Sequence, residues 1–246
     1  MSTIKKMNVR AVILAGGKGT RLRPLTAVFP KPLVPLGNKP IIEVLLRRLK
    51  AYGLEDVTIC TGYLAELIKA VCGDGSKYGL NISYVGEDEP LGTAGPLTKL
   101  DNLTDPIIVM NGDLLTTLNF ENMVSYHVEN QCDFTMGVFQ RDVRIDFGVV
   151  ETNERGDFSG FQEKPTFHYD VSMGVNVISQ KALGLIPRDK FFDMPDLVLA
   201  THESGGKVGC FREDCYWLDI GRMDDYALAQ EQFEENESMF LGEEVK

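Results

Sequence analysis

The run Val9-Arg10-Ala11-Val12-Ile13-Leu14-Ala15 passes directly into Gly16-Gly17-Lys18-Gly19. A short run that is apolar on successive residues, not on alternate ones, suits a strand covered on both faces. Such strands belong to parallel sheets flanked by helices. The glycines that follow lack Cβ atoms, so backbone N–H groups can close on an anion. One segment therefore predicts a parallel α/β sheet and an anion-binding loop at the carboxyl end of a strand.

The rest of the chain fits that frame. Helical spacing runs from Ile41 to Tyr52 and stops at Gly53. Strands are expected at 56–61, 81–85, 106–110 and 133–139, and helices at 65–72, 94–100 and 120–129. This alternation indicates a doubly wound, mostly parallel sheet. Beyond residue 140, strands at 149–151, 158–162 and 171–178 follow one another with little helix between them. They predict an added antiparallel part over the open end of the sheet. Helices are expected at 192–202 and 223–234, and the acidic stretch Glu234 to Lys246 is expected to fray. Gly16 to Gly37 is long, basic and proline-rich, the composition of an ordered functional loop.

Charge narrows the ligand. Residues 1–50 hold eleven Lys and Arg against one acid, Glu43, and the total of −11 leaves the remainder at −21. A net acid is a poor nucleic-acid binder. A basic N-terminal segment inside an acidic protein suits a small phosphorylated ligand. The alternative, a solvated basic face, is assigned to Lys5, Lys6, Arg47, Arg48 and Lys50. No apolar run of about 18 residues occurs, and Met1 to Arg10 lacks the apolar stretch of a signal peptide. The five cysteines form no C-x-x-C pair and read as idle thiols in a reducing cytoplasm.

The glycine loop matches neither of the common phosphate loops. G-x-x-x-x-G-K-[ST] is absent, and Leu22 stands where a dinucleotide loop needs its third glycine. It carries instead Arg21, whose planar fork can hold two phosphate oxygens, and then Lys31 between Pro30 and Pro32. Each piece alone could be a turn; together they describe a phosphate site. Asp113 follows an apolar strand, where ligands gather in open α/β sheets. A helix cap is the alternative for a lone Asp there.

The series L-A-G-G-K-G-T-R-L-R-P-L-T with P-K-P resembles the signature of the sugar-phosphate nucleotidyltransferases. The resemblance continues through Glu87-Asp88-Glu89-Pro90-Leu91-Gly92-Thr93-Ala94-Gly95, Asn111-Gly112-Asp113, Phe147-Gly148-Val149-Val150, Glu163-Lys164-Pro165 and Trp217-Leu218-Asp219-Ile220-Gly221-Arg222. These six motifs stand in the family's order over roughly residues 11 to 235, and they lie closest to the mannose-1-phosphate guanylyltransferase-like members. The resemblance implies a glycosyltransferase-A-like, Rossmann-like α/β fold. One domain would span 1–235, with a nucleotide-binding core at about 9–140, a sugar-phosphate-binding part at about 141–222 and an acidic tail at 236–246. It implies transfer of a nucleotidyl group from a nucleoside triphosphate to a sugar 1-phosphate, with release of pyrophosphate.

Residue by residue, the resemblance gives the nucleotide to Leu14, Ala15, Gly16, Gly17, Gly19, Thr20, Arg21, Lys31, Glu87, Pro90, Gly92, Thr93, Asn111, Gly112 and Asp113. It gives the sugar phosphate to Gly148, Glu163, Lys164, Ser172, Gly174 and Asp219, and Mg²⁺ to Asp113 and Asp219. Arg21, Lys31, Asp113 and Lys164 are the expected catalytic residues. Gly148 and Gly174 would let the backbone approach the sugar. Ser172-Met173-Gly174-Val175-Asn176 departs from the N-A-G-I-Y of many relatives, which points to an altered sugar. Glu87 takes the place of a glutamine found in several thymidylyl- and uridylyl-transferring relatives. A carboxylate only accepts hydrogen bonds, and guanine offers the adjacent N1–H and N2–H₂ donors. GTP is therefore the favoured nucleotide; a solvent-facing Glu87 is the alternative.

Three alternatives stand beside this reading. A non-catalytic nucleotide-sugar-binding regulatory subunit is disfavoured by the presence of Arg21, Lys31, Asp113, Lys164 and Asp219. Thymidylyl, uridylyl, cytidylyl or adenylyl transfer within the same family stays open. A related glycosyltransferase would usually carry D-x-D where this chain has Asn111-Gly112-Asp113. The chain shows no hexapeptide repeat of an appended acetyltransferase. His127 and His202 read as structural, and His168 lies near the sugar segment. The expected partners are GTP and a sugar 1-phosphate, with neither nucleic acid nor membrane; assembly with copies of itself is left open.

Overall fold

The computed structural model describes residues 7–87 and 89–245. Lys5, Lys6 and Asp88 lie outside the described residues. Strand β1 (Arg10–Ala15) leads into three short 3-10 turns at Thr20–Leu22, Leu25–Ala27 and Lys31–Leu33. A small hairpin, β2 (Pro35–Leu36) and β3 (Lys39–Pro40), precedes α1 (Ile41–Ala51). Then come β4 (Asp56–Thr61), α2 (Ala65–Cys72), β5 (Asn81–Gly86), β6 (Ile107–Asn111), β7 (Leu114–Thr116) and α3 (Phe120–Glu129). The second half contributes β8 (Phe134–Arg144), β9 (Val149–Thr152), β10 (Phe158–Gln162), β11 (Thr166–Ile178), α4 (Gln180–Leu183), α5 (Met194–Glu203), β12 (Val208–Arg212), β13 (Trp217–Asp219) and α6 (Met223–Phe240).

Seven strands form the central sheet in the order β12-β8-β11-β6-β1-β4-β5. Every strand is parallel to its neighbours except β11, which runs antiparallel to both β6 and β8. From β1 the chain winds outward through β4 to β5, then returns to β6 on the other side of β1. The order reverses between β1 and β6, and a crevice opens there at the carboxyl ends of the strands.

Burial follows the apolar runs. Ile13, Ile59 and Met110 face α1 residues Ile42, Leu45 and Leu49 and α3 residues Phe120 and Met123. Val12, Cys60 and Val109 face the opposite way, toward Ala182, Ile186 and Leu197. Burying one such side chain contributes about 1.5–3 kcal/mol relative to leaving it exposed. A third cluster matters more for the site. Leu22, Leu36, Ile41, Leu115 and Ile220 pack beneath Ala229, Phe233 and Phe240 of α6, so the loop after β1 is anchored at its apolar residues.

Three expectations change. The acidic stretch from Glu234 does not fray over its described residues, and Lys246 lies outside them: α6 runs to Phe240, which is fully buried against Phe233 and Tyr216. Arg48 is not solvated. It is 1 % exposed, donates to the carbonyls of Leu118 and Met239, and lies over the rings of Tyr52 and Phe120. Its charge is met by Glu244, so the tail docks partly on this arginine. Third, β8 and β11 are longer than their apolar stretches. They continue as an antiparallel pair past the carboxyl edge of the sheet, from Ser172↔Val138 to Thr166↔Arg144. This arm carries the β9–β10 hairpin, but the strand expected at 171–178 as part of the added antiparallel portion instead ends inside the central sheet, where 175–178 pairs with β6. No helix among the described residues is long and apolar enough to cross a membrane.

Candidate active site

The glycine loop is shaped by close contacts. Gly19 has φ 58°, and a Cβ there would stand 3.0 Å from Thr26 Cγ2 and 3.1 Å from Lys31 Cβ. Thr26 Oγ1 donates to the Gly19 carbonyl at 2.7 Å, closing the loop over Lys31. A Cβ on Gly16 would lie 3.1 Å from Glu87 Oε1, and one on Gly112 would lie 2.9 Å from the Leu14 carbonyl. The Gly112 N–H donates to that same carbonyl, so this glycine joins the ends of β1 and β6.

A crevice of about 340 Å³ occupies the switch between β1 and β6. Leu14, Ala15, Gly16, Gly17, Glu87, Pro90, Gly92, Thr93, Asn111 and Asp113 line it, together with Cys60 and Pro96, which the sequence reading did not select. Gly19, Thr20, Arg21 and Lys31 are not on its wall; they belong to the turn segments beside it. Glu87 does not point away into solvent. Its Oε2 accepts the Leu91 N–H at 3.0 Å, which fixes the carboxylate at the crevice wall. Cys60 sits beside it, and burial followed by the Glu87 charge pushes the thiol up to about 12. It remains a neutral, inert wall.

The loop after Glu87 is strapped to a segment about 100 residues away. Ala94 and Gly95 N–H groups donate to the Phe192 carbonyl, and the Phe192 N–H donates to Leu91. Thr93 donates through both N and Oγ1 to Asp193 Oδ1, at 2.9 and 3.0 Å, and its hydroxyl accepts the Met194 N–H at 2.7 Å. Gly92, at φ 80°, permits this contact, since a Cβ would be 2.6 Å from the Phe192 carbonyl. The Thr93 hydroxyl is thus engaged in holding the loop. Nothing in sequence spacing links residues 93 and 193, so Asp193 was missed.

At the inner end of the crevice two carboxylates converge. β7 pairs with β13 and sets Asp219 opposite Leu114, while the Ile220 N–H donates to the Asp113 carbonyl at 3.1 Å. Lys31, 9 % exposed, forms an ion pair with Asp113 and stands 3.7 Å from Asp219. Burial raises the Asp219 carboxyl above its ordinary value; Asp113 adds to the rise, and Lys31 and Arg21 oppose it. Arg21 is near enough that a Cβ on Gly221 would be 3.5 Å from both its Nη2 and Asp219 Oδ2. Asp113 Oδ1 is buried with no hydrogen-bond partner. A buried carboxylate oxygen of that kind calls for a further cation or donor. Two carboxylates with room for phosphate oxygens fit Mg²⁺, which takes one or two protein carboxylates and completes its shell with phosphate and water. No group of three or more His, Cys, Asp or Glu gathers among the described residues.

The remaining expected residues fall into two groups. Gly174, at φ 69°, lies under Asn111, whose Nδ2 would be 2.5 Å from a Cβ there, and its N–H donates to Ser172 Oγ at 3.4 Å. Gly148 and Glu163 are neighbours on the arm, but the room left by the missing Cβ of Gly148 is taken by Phe161, 2.2 Å away. Lys164 is exposed, with φ 45°. Among the described residues no hydrogen bond joins Gly148, Glu163 or Lys164 to the carboxylate pair. The five cysteines are all free. His127 is 4 % exposed and bonded to Thr135, and His168 pairs with Asp142 on the arm.

Comparison with known proteins agrees with this architecture. A family model described as "Nucleotidyl transferase" matches residues 10–236. A mannose-1-phosphate guanylyltransferase of Mycobacterium tuberculosis is 35 % identical over 228 residues, covering 89 % of this chain and 62 % of that protein. A UTP–glucose-1-phosphate uridylyltransferase of Synechocystis is 31 % identical over 238 residues, covering 89 % and 61 %. The chain therefore spans a little over three fifths of the length of these two relatives. A D-glycero-alpha-D-manno-heptose 1-phosphate guanylyltransferase of Aneurinibacillus thermoaerophilus is 30 % identical over 230 residues, covering 92 % of this chain and 99 % of that one. The crystal structure of HddC from Yersinia pseudotuberculosis superposes with a TM-score of 0.70 at 24 % identity, covering 92 % of this chain and 99 % of that chain, and supports the fold. The chain belongs to the nucleotidyl transferase family.

Proposed function

We propose that this protein transfers a nucleotidyl group, guanylyl in first place, from a nucleoside triphosphate to a sugar 1-phosphate, releasing pyrophosphate. The observation that carries the reading is one continuous constellation. A crevice lined by a glycine loop and a fixed carboxylate ends at Asp113, where Lys31 stands between Asp113 and Asp219. The relatives support the class, since those above are named for guanylyl or uridylyl transfer to a sugar 1-phosphate.

In this reading an oxygen of the sugar 1-phosphate attacks the α-phosphorus. The nucleophile is already an anion, so no general base is required, and catalysis rests on positioning and charge neutralisation. The backbone of Gly16 and Gly17 cradles the nucleotide phosphates, and Arg21 and Lys31 oppose the charge that grows on the departing group. Asp113 and Asp219 would hold Mg²⁺, which supplies Lewis-acid neutralisation of phosphate oxygens. Lys164, exposed on the arm, would offset repulsion between the two anions. Glu87 would accept hydrogen bonds from the guanine N1–H and N2–H₂.

The base assignment is tested by Glu87→Gln. Losing a charge-assisted pair to guanine should lower kcat/KM for GTP by about 10- to 100-fold and raise the UTP-to-GTP ratio. An unchanged GTP preference in that variant would remove Glu87 from base recognition.

A further inference from the structure

β5 is an edge strand of the central sheet, so the segment that leaves it after Gly86 has no further strand to lie against. Yet Pro90, Gly92, Thr93 and Pro96 of that segment form one wall of the nucleotide crevice, with Glu87 at its start. A wall of irregular backbone keeps its shape only where its N–H and C=O groups find partners outside it. Here the partners come from the stretch between α4 and α5. Leu91 is the pivot. Its N–H donates to Glu87 Oε2 at 3.0 Å, and its carbonyl accepts the Phe192 N–H at 2.9 Å. The same residue thus carries the bond that fixes the carboxylate and a bond that fixes the strap. Phe192 is itself anchored, packing against the apolar cluster that contains Cys60, Ala94 and Leu97. Asp193 stands at the N-cap of α5, and its N–H donates to Asp196 Oδ2 at 3.0 Å. Its Oδ1 turns to the distant loop and takes both donors of Thr93, while Thr93 Oγ1 accepts the Met194 N–H, the first of the helix. Loop and helix cap each other. Asp193 itself is not on the crevice wall.

We infer that Asp193 is a positioning residue for base selection: by holding Thr93 it keeps the 91–95 loop on Phe192, and Leu91 in turn holds the Glu87 carboxylate in the direction that reads the base. The inference rests on the base assignment to Glu87 made above. Guanine presents its N1–H and N2–H₂ donors side by side, and telling that pair from a single donor requires the acceptor to stay within about 0.5 Å of its place. A carboxylate on a loose loop follows whichever donor is present and discriminates little. The other oxygen, Oε1, lies beside the glycine loop, 3.1 Å from where a Cβ on Gly16 would stand, so a shift of Glu87 is felt directly at the crevice. The strap therefore acts on which nucleotide is accepted, and it leaves the Lys31, Asp113 and Asp219 constellation at the inner end untouched.

Steady-state kinetics with GTP and ITP test this. Hypoxanthine keeps the N1–H and lacks the N2 amino group, so the ratio of kcat/KM for GTP over ITP isolates the second bond. In wild type it should be about 10- to 100-fold, the value of one hydrogen bond to a carboxylate. Asp193→Ser keeps a good N-cap for α5 and loses the carboxylate. It should bring the ratio to about threefold or less, raise the GTP KM, and leave kcat at saturating substrates within about threefold. Asp193→Asn, whose amide oxygen still accepts from Thr93, should restore the ratio to within about twofold of wild type. Thr93→Val, which empties the other end of the same contact, should lower the ratio in the same direction and keeps the test open where Asp193→Ser does not fold. Equal losses for GTP and ITP, with the ratio unchanged in Asp193→Ser or Thr93→Val, overturn the inference and leave Asp193 a structural residue. Wild-type protein that uses GTP and ITP alike, or Glu87→Gln protein that keeps the full ratio, removes the base assignment and the inference with it, while nucleotidyl transfer stands. No turnover with any nucleotide contradicts nucleotidyl transfer itself and overturns all three.

Discussion

Replacing Lys31 by Met removes the ammonium that stands between Asp113 and Asp219 while keeping most of the side-chain volume. Breaking a fully buried ion pair costs about 3–5 kcal/mol, and an exposed one costs at most about 1 kcal/mol. The side chain of Lys31 is 11 % exposed, that of Asp113 21 % and that of Asp219 43 %, so the expected loss lies between, at about 2 kcal/mol. For a chain of this size that lowers Tm by about 4–8 °C. The sign with pH follows from Asp219. Its folded pKa already lies above the ordinary carboxylate value, and removing Lys31 raises it further. A raised carboxyl binds a proton more tightly folded than unfolded, so the stability it contributes is present below the unfolded value and lost as pH rises through the folded one. The Lys31→Met penalty should therefore be full at neutral pH and shrink as pH falls toward the ordinary carboxylate range. Mg²⁺ should raise the Tm of the variant more than that of wild type, because it supplies the missing positive charge. Differential scanning fluorimetry across pH, with and without Mg²⁺, reads all three effects, and kcat should fall at least about 100-fold. A variant as stable as wild type at neutral pH, with turnover intact, would refute the shared role of Lys31 and the two carboxylates.

Thr93→Val keeps the branched shape but removes the hydroxyl that joins Asp193 and Met194. With two bonds of about 1 kcal/mol lost, KM for the nucleotide should rise roughly 5- to 30-fold while KM for the sugar 1-phosphate stays within about twofold; equal rises in both would assign the strap a purely structural role. Phe240→Ala empties a fully buried position against Tyr216 and Phe233 and should cost about 3–5 kcal/mol in urea unfolding, whereas a frayed tail would cost almost nothing. Burial depresses the His127 imidazole below its ordinary pKa. Unfolding then takes up a proton at mildly acid pH, so stability should fall as pH drops below about 6.5, and part of that fall should vanish in His127→Gln. Identical pH–stability curves for the two proteins would contradict this.

The parallel half of the fold was legible because each buried strand is a short apolar run and each helix has a 3.6-residue stripe. The 56–61, 65–72 and 120–129 segments fall where the spacing put them. The arm was only half legible. Its outer residues, such as Arg141, Asp142, His168 and Asp170, are polar and solvent-facing, and their partners across the ladder are known only from pairing. The antiparallel insertion of β11 between β6 and β8 leaves no mark on local pattern, since a buried strand reads the same in either direction. Charge misled at Arg48, whose burial depends on the aromatic faces of Tyr52, just past α1, and Phe120 of α3, and on a carboxylate 196 residues away. Most of the residues that line the crevice were legible because glycines and prolines fix backbone shape locally. Asp193 was not, because its bonds to Thr93 arise from a tertiary contact between distant segments.

The most direct test measures pyrophosphate release in the presence of Mg²⁺, crossing GTP, ATP, CTP, UTP and dTTP against a panel of sugar 1-phosphates. The account predicts release that requires both substrates, is fastest with GTP, and falls by about 100-fold or more in Arg21→Ala and Asp113→Ala. Tight binding of nucleotide sugars with no release for any pair, or near wild-type turnover in those variants, would contradict it.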